Sequence, residues 1–178
     1  MEKLNFGCGR KILPGFVNLD FVDLPGVHVR HDIWVFPYPF PGEKFDYILA
    51  SHVLEHIPPI LGHRDGLLQV VEELHRILKS GGTLEIRVPH PSMGVYCFNN
   101  MTHYRVITPW TFEPLAIATH PSCIGYFSNI RFSRMVCEAD SYQRMPLQSR
   151  TLGRLVNRFP KLGPVIGRPL ELVVRLMK

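Results

Sequence analysis

The chain has 178 residues, 46% of them apolar and 20% charged, a length and balance that suit one domain with its own core and exclude intrinsic disorder. No apolar run approaches the ~20 residues that span a bilayer, and Met1-Glu2-Lys3-Leu4-Asn5 has none of the pattern of a secretory leader. The net charge of +5 is uneven: residues 1–100 hold 9 Lys+Arg against 11 Asp+Glu, and residues 101–178 hold 11 against 4.

In chain order, Lys3 to Phe6 reads as a short strand ended by Gly7-Cys8-Gly9. Phe16 to Asp20 reads as a second strand, Val27 to Val29 as a weak third, and Phe45 to Ala50 as a buried strand entering a helix. Leu67, Val71, Leu74 and Leu78 then recur at i, i+4, i+7 and i+11, one face of an amphipathic helix. On its wet side Glu72 and Arg76 stand as an i,i+4 acid-before-base pair, and Gly81-Gly82 supply the stop. Thr83 to Val88 is the next strand, closed by Pro89; strands alternating with helical segments argue for a parallel α/β sheet. Beyond it, residues 90–107 are irregular, and Thr108-Pro109 reads as an N-cap opening a short helix through Ala118. Phe127 to Val136 and Leu170 to Leu176 read as late strands, with a short basic helix from Leu152 to Phe159 between them.

A strand ending in Gly-x-Gly turns tightly and lets a ligand approach where a Cβ would stand. At the carboxyl edge of a parallel sheet that turn lies where open α/β folds bind nucleotides. Asp20, closing the second strand, is placed to accept hydrogen bonds from a ribose diol. A dinucleotide enzyme shows Gly-x-Gly-x-x-Gly with its acid about 20 residues on. Here Arg10-Lys11-Ile12 follow Gly9 without a third glycine, and Asp20 comes only 11 residues after Gly9. That gap leaves little room for a pyrophosphate-binding helix, so the spacing favours a nucleoside ligand over NAD or FAD.

Five segments in register, Leu4 to Gly9, Gly15 to Asp20, His31-Asp32-Ile33, Phe45 to Ile57 and Leu74 to Leu84, cover about half the chain. On them the sequence resembles the class I S-adenosylmethionine-dependent methyltransferases, in particular the small type 11-like ones. The resemblance implies an α/β, Rossmann-like three-layer sandwich, mostly parallel with an antiparallel last strand and a shortened first helix. It implies one domain over 1–178, with 1–89 as the cofactor half and 90–178 as acceptor cap and closing strands. By resemblance the turn Asn5-Phe6-Gly7-Cys8-Gly9 lines S-adenosylmethionine, Asp20 holds its ribose, Asp32 and Ile33 meet the adenine, and Ser51 and His52 border the sulfonium. The sequence departs from the family twice: Asn5 and Phe6 offer no carboxylate before the glycine turn, and Arg10 to Phe16 leaves almost no first helix. Those departures support the alternative of an inactive methyltransferase-fold binding or assembly protein.

His103 and then His90 are the candidates for a general base toward an acceptor hydroxyl, since neutral imidazole suits that role near pH 7; a histidine satisfied inside a loop is the competing reading. The segment His103 to Pro109 is similar to one in methyltransferases of surface-polysaccharide and sugar pathways, so the expected acceptor is small or sugar-linked and the transfer is to oxygen. Trp110, Phe112, Tyr96 and Phe98 form either an aromatic wall or core packing. His52 and His56 stand at i,i+4, a spacing that can bind zinc, but Glu55 precedes the second histidine instead of following the first, and no metal is assigned. Residues 144–178 hold 8 basic residues and Glu171 as their one acid, with Arg150, Arg154 and Arg158 at i, i+4, i+8. This stripe suits a phosphorylated acceptor, an anionic membrane surface or plain solvent; no nucleic-acid-binding motif accompanies it. The four cysteines, Cys8, Cys97, Cys123 and Cys137, form no Cys-x-x-Cys pair, which points to reduced thiols in the cytoplasm.

Overall fold

A computed structural model describes residues 1–91, 97, 100–116, 128–141 and 170–178. Its strands β1 (Lys3–Phe6), β2 (Val17–Asp20), β3 (Val29–Arg30) and β4 (Phe45–Ser51) precede a single 3-10 turn at Leu54–His56. A two-stranded ribbon, β5 (Ile60–Leu61) and β6 (Arg64–Asp65), leads into helix α1 (Gly66–Ile77). Strand β7 (Leu78–Pro89), a 3-10 turn at Pro109–Thr111, helix α2 (Glu113–Ala116), β8 (Arg134–Ser141) and β9 (Leu170–Met177) follow. The main sheet has seven strands in the order β3-β2-β1-β4-β7-β9-β8. Neighbours from β3 through β7 are parallel, whereas β9 runs antiparallel to both β7 and β8. This is the mostly parallel α/β sheet with an antiparallel last strand that the sequence implied, and the shortened first helix is an irregular loop over residues 10–16.

Central strands of such a sheet are buried on both faces and read as near-continuous apolar runs. Leu4, Phe6, Ile48, Ala50, Leu84, Ile86, Val174 and Leu176 are wholly buried in one cluster with Leu74 and Ile77 of α1. Asp65 caps α1 by accepting the Leu68 N–H at 2.9 Å. The helix ends at Ile77, earlier than the glycine pair. Leu78 is already extended, its N–H still bonded to Leu74 O. Gly81, with φ +75°, instead serves a bulge: Phe45 pairs Leu78 while Tyr47 pairs Thr83. The expected Glu72–Arg76 pair is also replaced. Arg64 reaches Glu72 through two bonds of 2.8 and 2.9 Å, and Arg76 turns to Glu73 and the carbonyls of Tyr38 and Phe40. A bidentate fork from the β-ribbon satisfies the carboxylate better than one exposed lysine-like contact along the helix.

Two later elements are shifted from the sequence reading. The strand expected from Phe127 begins only at Arg134, because Ser133 to Met177 bonds start the β8–β9 ladder there. Thr108 does cap the turn at Pro109 in a reciprocal box with Thr111, but α2 is four residues long. Its expected continuation to Ala118 lies outside the described residues, as do Phe127, Tyr96, Phe98, Cys123 and the Arg150-Arg154-Arg158 stripe.

Candidate active site

Strand order reverses at β1, whose neighbours β2 and β4 arrive from opposite directions in the chain; ligands of open α/β sheets bind in the crevice at such a switch point. Three carboxyl ends meet there: Gly7-Cys8-Gly9 after β1, Asp20 at the end of β2, and His52 after β4. Gly7 and Gly9 both take positive φ, +64° and +50°. A Cβ on Gly7 would stand 2.5 Å from Val53 Cγ2, whereas one on Gly9 would meet nothing within 4 Å. Gly7 thus permits close approach of two strand ends, and Gly9 serves only the turn.

Asp20 is buried, and both of its oxygens hold backbone. Oδ2 accepts the Gly9 N–H at 2.7 Å and Oδ1 the Val22 N–H at 3.1 Å. Those two bonds tie the glycine turn to β2 and aim the carboxylate, which retains lone pairs for a diol. It lines a cavity of about 500 Å³. Gly7, Gly9, Asp32, Ile33 and His52 line it too. Phe21, Val22, Leu24 and Trp34 complete an apolar side, and Val53, His56 and Thr102 the opposite one. Of these seven, His56 alone was singled out from sequence, as half of an i,i+4 histidine pair. Phe21 and Trp34, 63% and 44% exposed, were signalled only by their adjacency to Asp20 and to Asp32-Ile33.

The structure places the remaining candidates elsewhere. Phe6 is wholly buried in the core, and Cys8 is buried with its Sγ toward Gly9 O, its thiol pKa raised by burial and by Asp20. Asn5, 2% exposed, points into the turn. Its Nδ2 donates to Lys11 O at 2.7 Å and to Asn18 Oδ1 at 2.8 Å. Asn18 in turn accepts the Leu13 N–H and donates to the Leu13 and Phe16 carbonyls. The two amides therefore pin the loop that stands where a first helix would be. Ser51 does not line the cavity. Phe112 is buried and Trp110 is 69% exposed, so the two diverge and form no common wall.

His52 sits at φ +54°, its N–H held by Arg87 O at 2.8 Å. Nε2 meets Glu171 Oε1 at 2.7 Å, and Nδ1 lies 3.3 Å from Glu55 Oε1. Burial by itself lowers the His52 pKa, but the Glu171 hydrogen bond and the close Glu55 carboxylate outweigh it and push it up to about 9. His52 is thus an imidazolium at neutral pH and no proton acceptor. Glu171 belongs to a chain of charges that continues through Arg87, Glu85 and Arg175 to Glu138. Burial works to raise the Glu171 pKa; His52 and Arg87 overcome it and hold the carboxyl below its usual range.

His103 stacks edge-on against His56, ring centres 4.7 Å apart, with its Nδ1 2.6 Å from Cys97 O. It borders a small crevice with Glu55 and Cys97, not the main cavity. His90 is 8% exposed, its pKa lowered by burial, and its carbonyl receives the Cys97 thiol. The segment after His103 is anchored: Tyr104 N–H bonds Glu55 O at 2.9 Å, and Arg105 reaches Asp65 and Pro58 O.

A glycine turn, an aspartate at the end of the next strand and a cavity between them, on a sheet of this order, define an α/β enzyme that binds a nucleoside-bearing cofactor. A family model described as a methyltransferase domain matches residues 4–159, and the chain belongs to that family. It is an S-adenosylmethionine-dependent methyltransferase. Among solved structures it is similar to a SAM-dependent methyltransferase from Archaeoglobus fulgidus, at 18% identity over 99% of this chain and 86% of that one, with a TM-score of 0.65. It is similar to the plantazolicin methyltransferase BpumL in complex with SAH, at 17% identity over 100% and 76%, TM-score 0.52 being reached by a second BpumL complex at 16%. A putative methyltransferase complexed with the Trm112 activator of Haloferax volcanii matches at 13% identity over 98% and 81%, with a TM-score of 0.54. At these identities the likeness is one of fold. No curated protein matches the sequence. No described helix is long and apolar enough to cross a membrane.

Proposed function

We propose that the chain transfers a methyl group to a hydroxyl oxygen of a small or carbohydrate-linked acceptor, in the cytoplasm. The observation that carries this reading is the two-sided lining of one cavity of about 500 Å³, a size within the ~300–1,000 Å³ of small-molecule sites. Bound S-adenosylmethionine supplies a methyl group on a sulfonium, already a good leaving group. On the nucleoside side, Asp20 would hold the ribose hydroxyls and Asp32 the adenine amine, with Ile33 and Trp34 as apolar lining beside them. Gly7 and Gly9 leave space for the amino-acid part. Opposite them, His52 is held as a cation between two carboxylates, so the proton acceptor on this wall is His56, not the protonated His52. The task left to the wall is positioning and exclusion of water. His103 stands directly behind His56 and orients it; His90 supports the Cys97 segment that holds His103 in turn.

The sugar-linked, phosphorylated or nucleotide-linked nature of the acceptor rests on the His103–Pro109 segment and on the basic balance of residues 101–178, 11 Lys+Arg against 4 Asp+Glu. Isothermal titration with S-adenosylhomocysteine tests the cofactor half: micromolar binding is expected, about 100-fold weaker in Asp20→Ala as two charge-assisted bonds are lost. No heat at high micromolar ligand, or equal affinity of the variant, refutes it. Methyl transfer from labelled cofactor to a panel of sugar hydroxyls and amines tests the acceptor half; transfer confined to amines refutes oxygen.

A further inference from the structure

Glu55 is 2% exposed, and among the described residues neither of its carboxylate oxygens accepts a hydrogen bond. The His52 imidazolium pairs with it across 3.3 Å from Nδ1 to Oε1 and shares its charge with Glu171 through Nε2. One imidazolium shared between two carboxylates leaves lone pairs on Glu55 that a second cation can use. Two further imidazoles flank that carboxylate. One ring nitrogen of His56, one of His103 and a Glu55 oxygen all lie within 4.8 Å of one another.

The hydrogen bonds decide which nitrogens remain. Thr102 Oγ1 donates its proton to Asn100 Oδ1 at 2.8 Å, so toward His56 Nδ1, also at 2.8 Å, it can only accept. Thr102 O stands 3.1 Å from the same nitrogen. His56 Nδ1 therefore carries the hydrogen. His103 Nδ1 faces the Cys97 carbonyl, an acceptor, and carries its hydrogen too. Both lone pairs fall on Nε2. Metal-binding histidines have this arrangement, with the far N–H held by a backbone carbonyl that fixes tautomer and ring plane. The third ligand is brought in by tertiary structure: Tyr104 N–H on Glu55 O docks the His103 segment onto the Leu54–His56 turn.

We infer that Glu55, His56 and His103 form a site for one divalent transition-metal ion, of the kind that takes two imidazoles and a carboxylate, at the edge of the cavity that His56 lines. Imidazole with carboxylate suits zinc and cobalt. Bonds of about 2.0–2.1 Å at tetrahedral angles put ligand atoms about 3.3 Å apart, and one nitrogen of each ring already lies within 4.8 Å of the other and of a Glu55 oxygen. With three protein ligands a position stays open, as in catalytic sites. For its setting beside an acceptor this inference rests on the methyl-transfer reading, and an ion there would take the His56 lone pair and meet the acceptor oxygen itself. The binding claim stands apart from that.

The test is titration of the chelator-treated full chain with Zn²⁺ by calorimetry and with Co²⁺ by visible absorption. One equivalent with four- or five-coordinate cobalt bands is expected, weakened about tenfold or more in His56→Asn, His103→Asn and Glu55→Gln, with melting curves recorded for each. A second measurement needs no variant: in ¹⁵N imidazole spectra of the wild type, zinc should move the Nε2 signals of two of the 9 histidines while their Nδ1 protons persist. Absence of a site tighter than high micromolar, unchanged binding by the folded variants, or movement of other histidines overturns the inference. Binding of S-adenosylhomocysteine by the metal-free wild type is recorded separately. Zinc without that ligand sinks the methyl-transfer setting and keeps the metal site, and the reverse sinks the metal site alone.

Discussion

Asn5→Asp restores the acid that methyltransferases of this type usually carry before the glycine turn, and here it should damage the fold. The Asn5 amide donates to Lys11 O and Asn18 Oδ1 from a position 2% exposed. A carboxylate would confront two acceptors with a third. Two neutral bonds at about 1 kcal/mol each are lost, about 2 kcal/mol together. Asn18 Oδ1 keeps the Leu13 N–H at 3.0 Å, so it adds little. For a chain of this length each kcal/mol moves Tm by about 2–4 °C, so a fall of about 4–8 °C is expected at neutral pH. The loss is pH-dependent, because the new carboxyl escapes by keeping its proton. Its folded pKa is raised above the unfolded value of about 3.9, so stability is retained below that value and lost as pH rises through the folded one. Urea and thermal melts of wild type and variant at pH 5 and pH 7.5 measure both effects. A variant within about 1 kcal/mol of wild type at pH 7.5 would refute the role given to this amide.

Gly7→Ala and Gly9→Ala separate close approach from turn geometry. Both carry the strain of positive φ, about 1–2 kcal/mol, but only at Gly7 does the new Cβ meet Val53, at 2.5 Å, so its melt should fall further and its S-adenosylhomocysteine affinity with it; equal losses would contradict this. Trp34→Ala should weaken S-adenosylhomocysteine binding by about 2–12-fold, the value of an aromatic contact of about 0.5–1.5 kcal/mol, leaving the melt unchanged since the ring is 44% exposed; unaltered affinity would remove Trp34 from the adenine side. His75 is half-buried with Nε2–H on Arg131 O at 2.9 Å, and its partial burial holds its pKa below the ordinary value. The unfolded chain then takes up this proton first, so stability falls as pH drops below about 6.5 until the folded pKa is passed. His75→Gln, which can keep the bond, should lose less stability than wild type between pH 7.5 and pH 5.5 in urea titrations, and an identical loss would exclude His75 as a source.

The strand positions, the Gly7–Gly9 turn and Asp20 were legible because each is local. Apolar runs bounded by glycine and proline specify strands, and a glycine pair at a strand end admits few backbones. Asp32 and Ile33 came from the resemblance to the methyltransferase family. The Asn5–Asn18 pair was not legible, because a polar residue inside a strand announces neither partner nor direction; from sequence it read as a missing acid. Only folding shows it as the tie that replaces a helix.

The one-dimensional pattern determined a parallel α/β sheet with a crevice for a nucleoside at its first turn, since periodicity and turn chemistry are properties of short segments. Tertiary structure decided what faces that crevice. Glu171 comes from the last strand, 119 residues beyond His52, and converts that histidine from a base into a cation. The His103 segment, docked on the Leu54–His56 turn, sets His56 on the cavity and His103 behind it. Charge state and orientation depend on what lies within a few ångströms, and for His52 and His56 the deciding neighbours Glu171, Thr102 and His103 are remote in the chain.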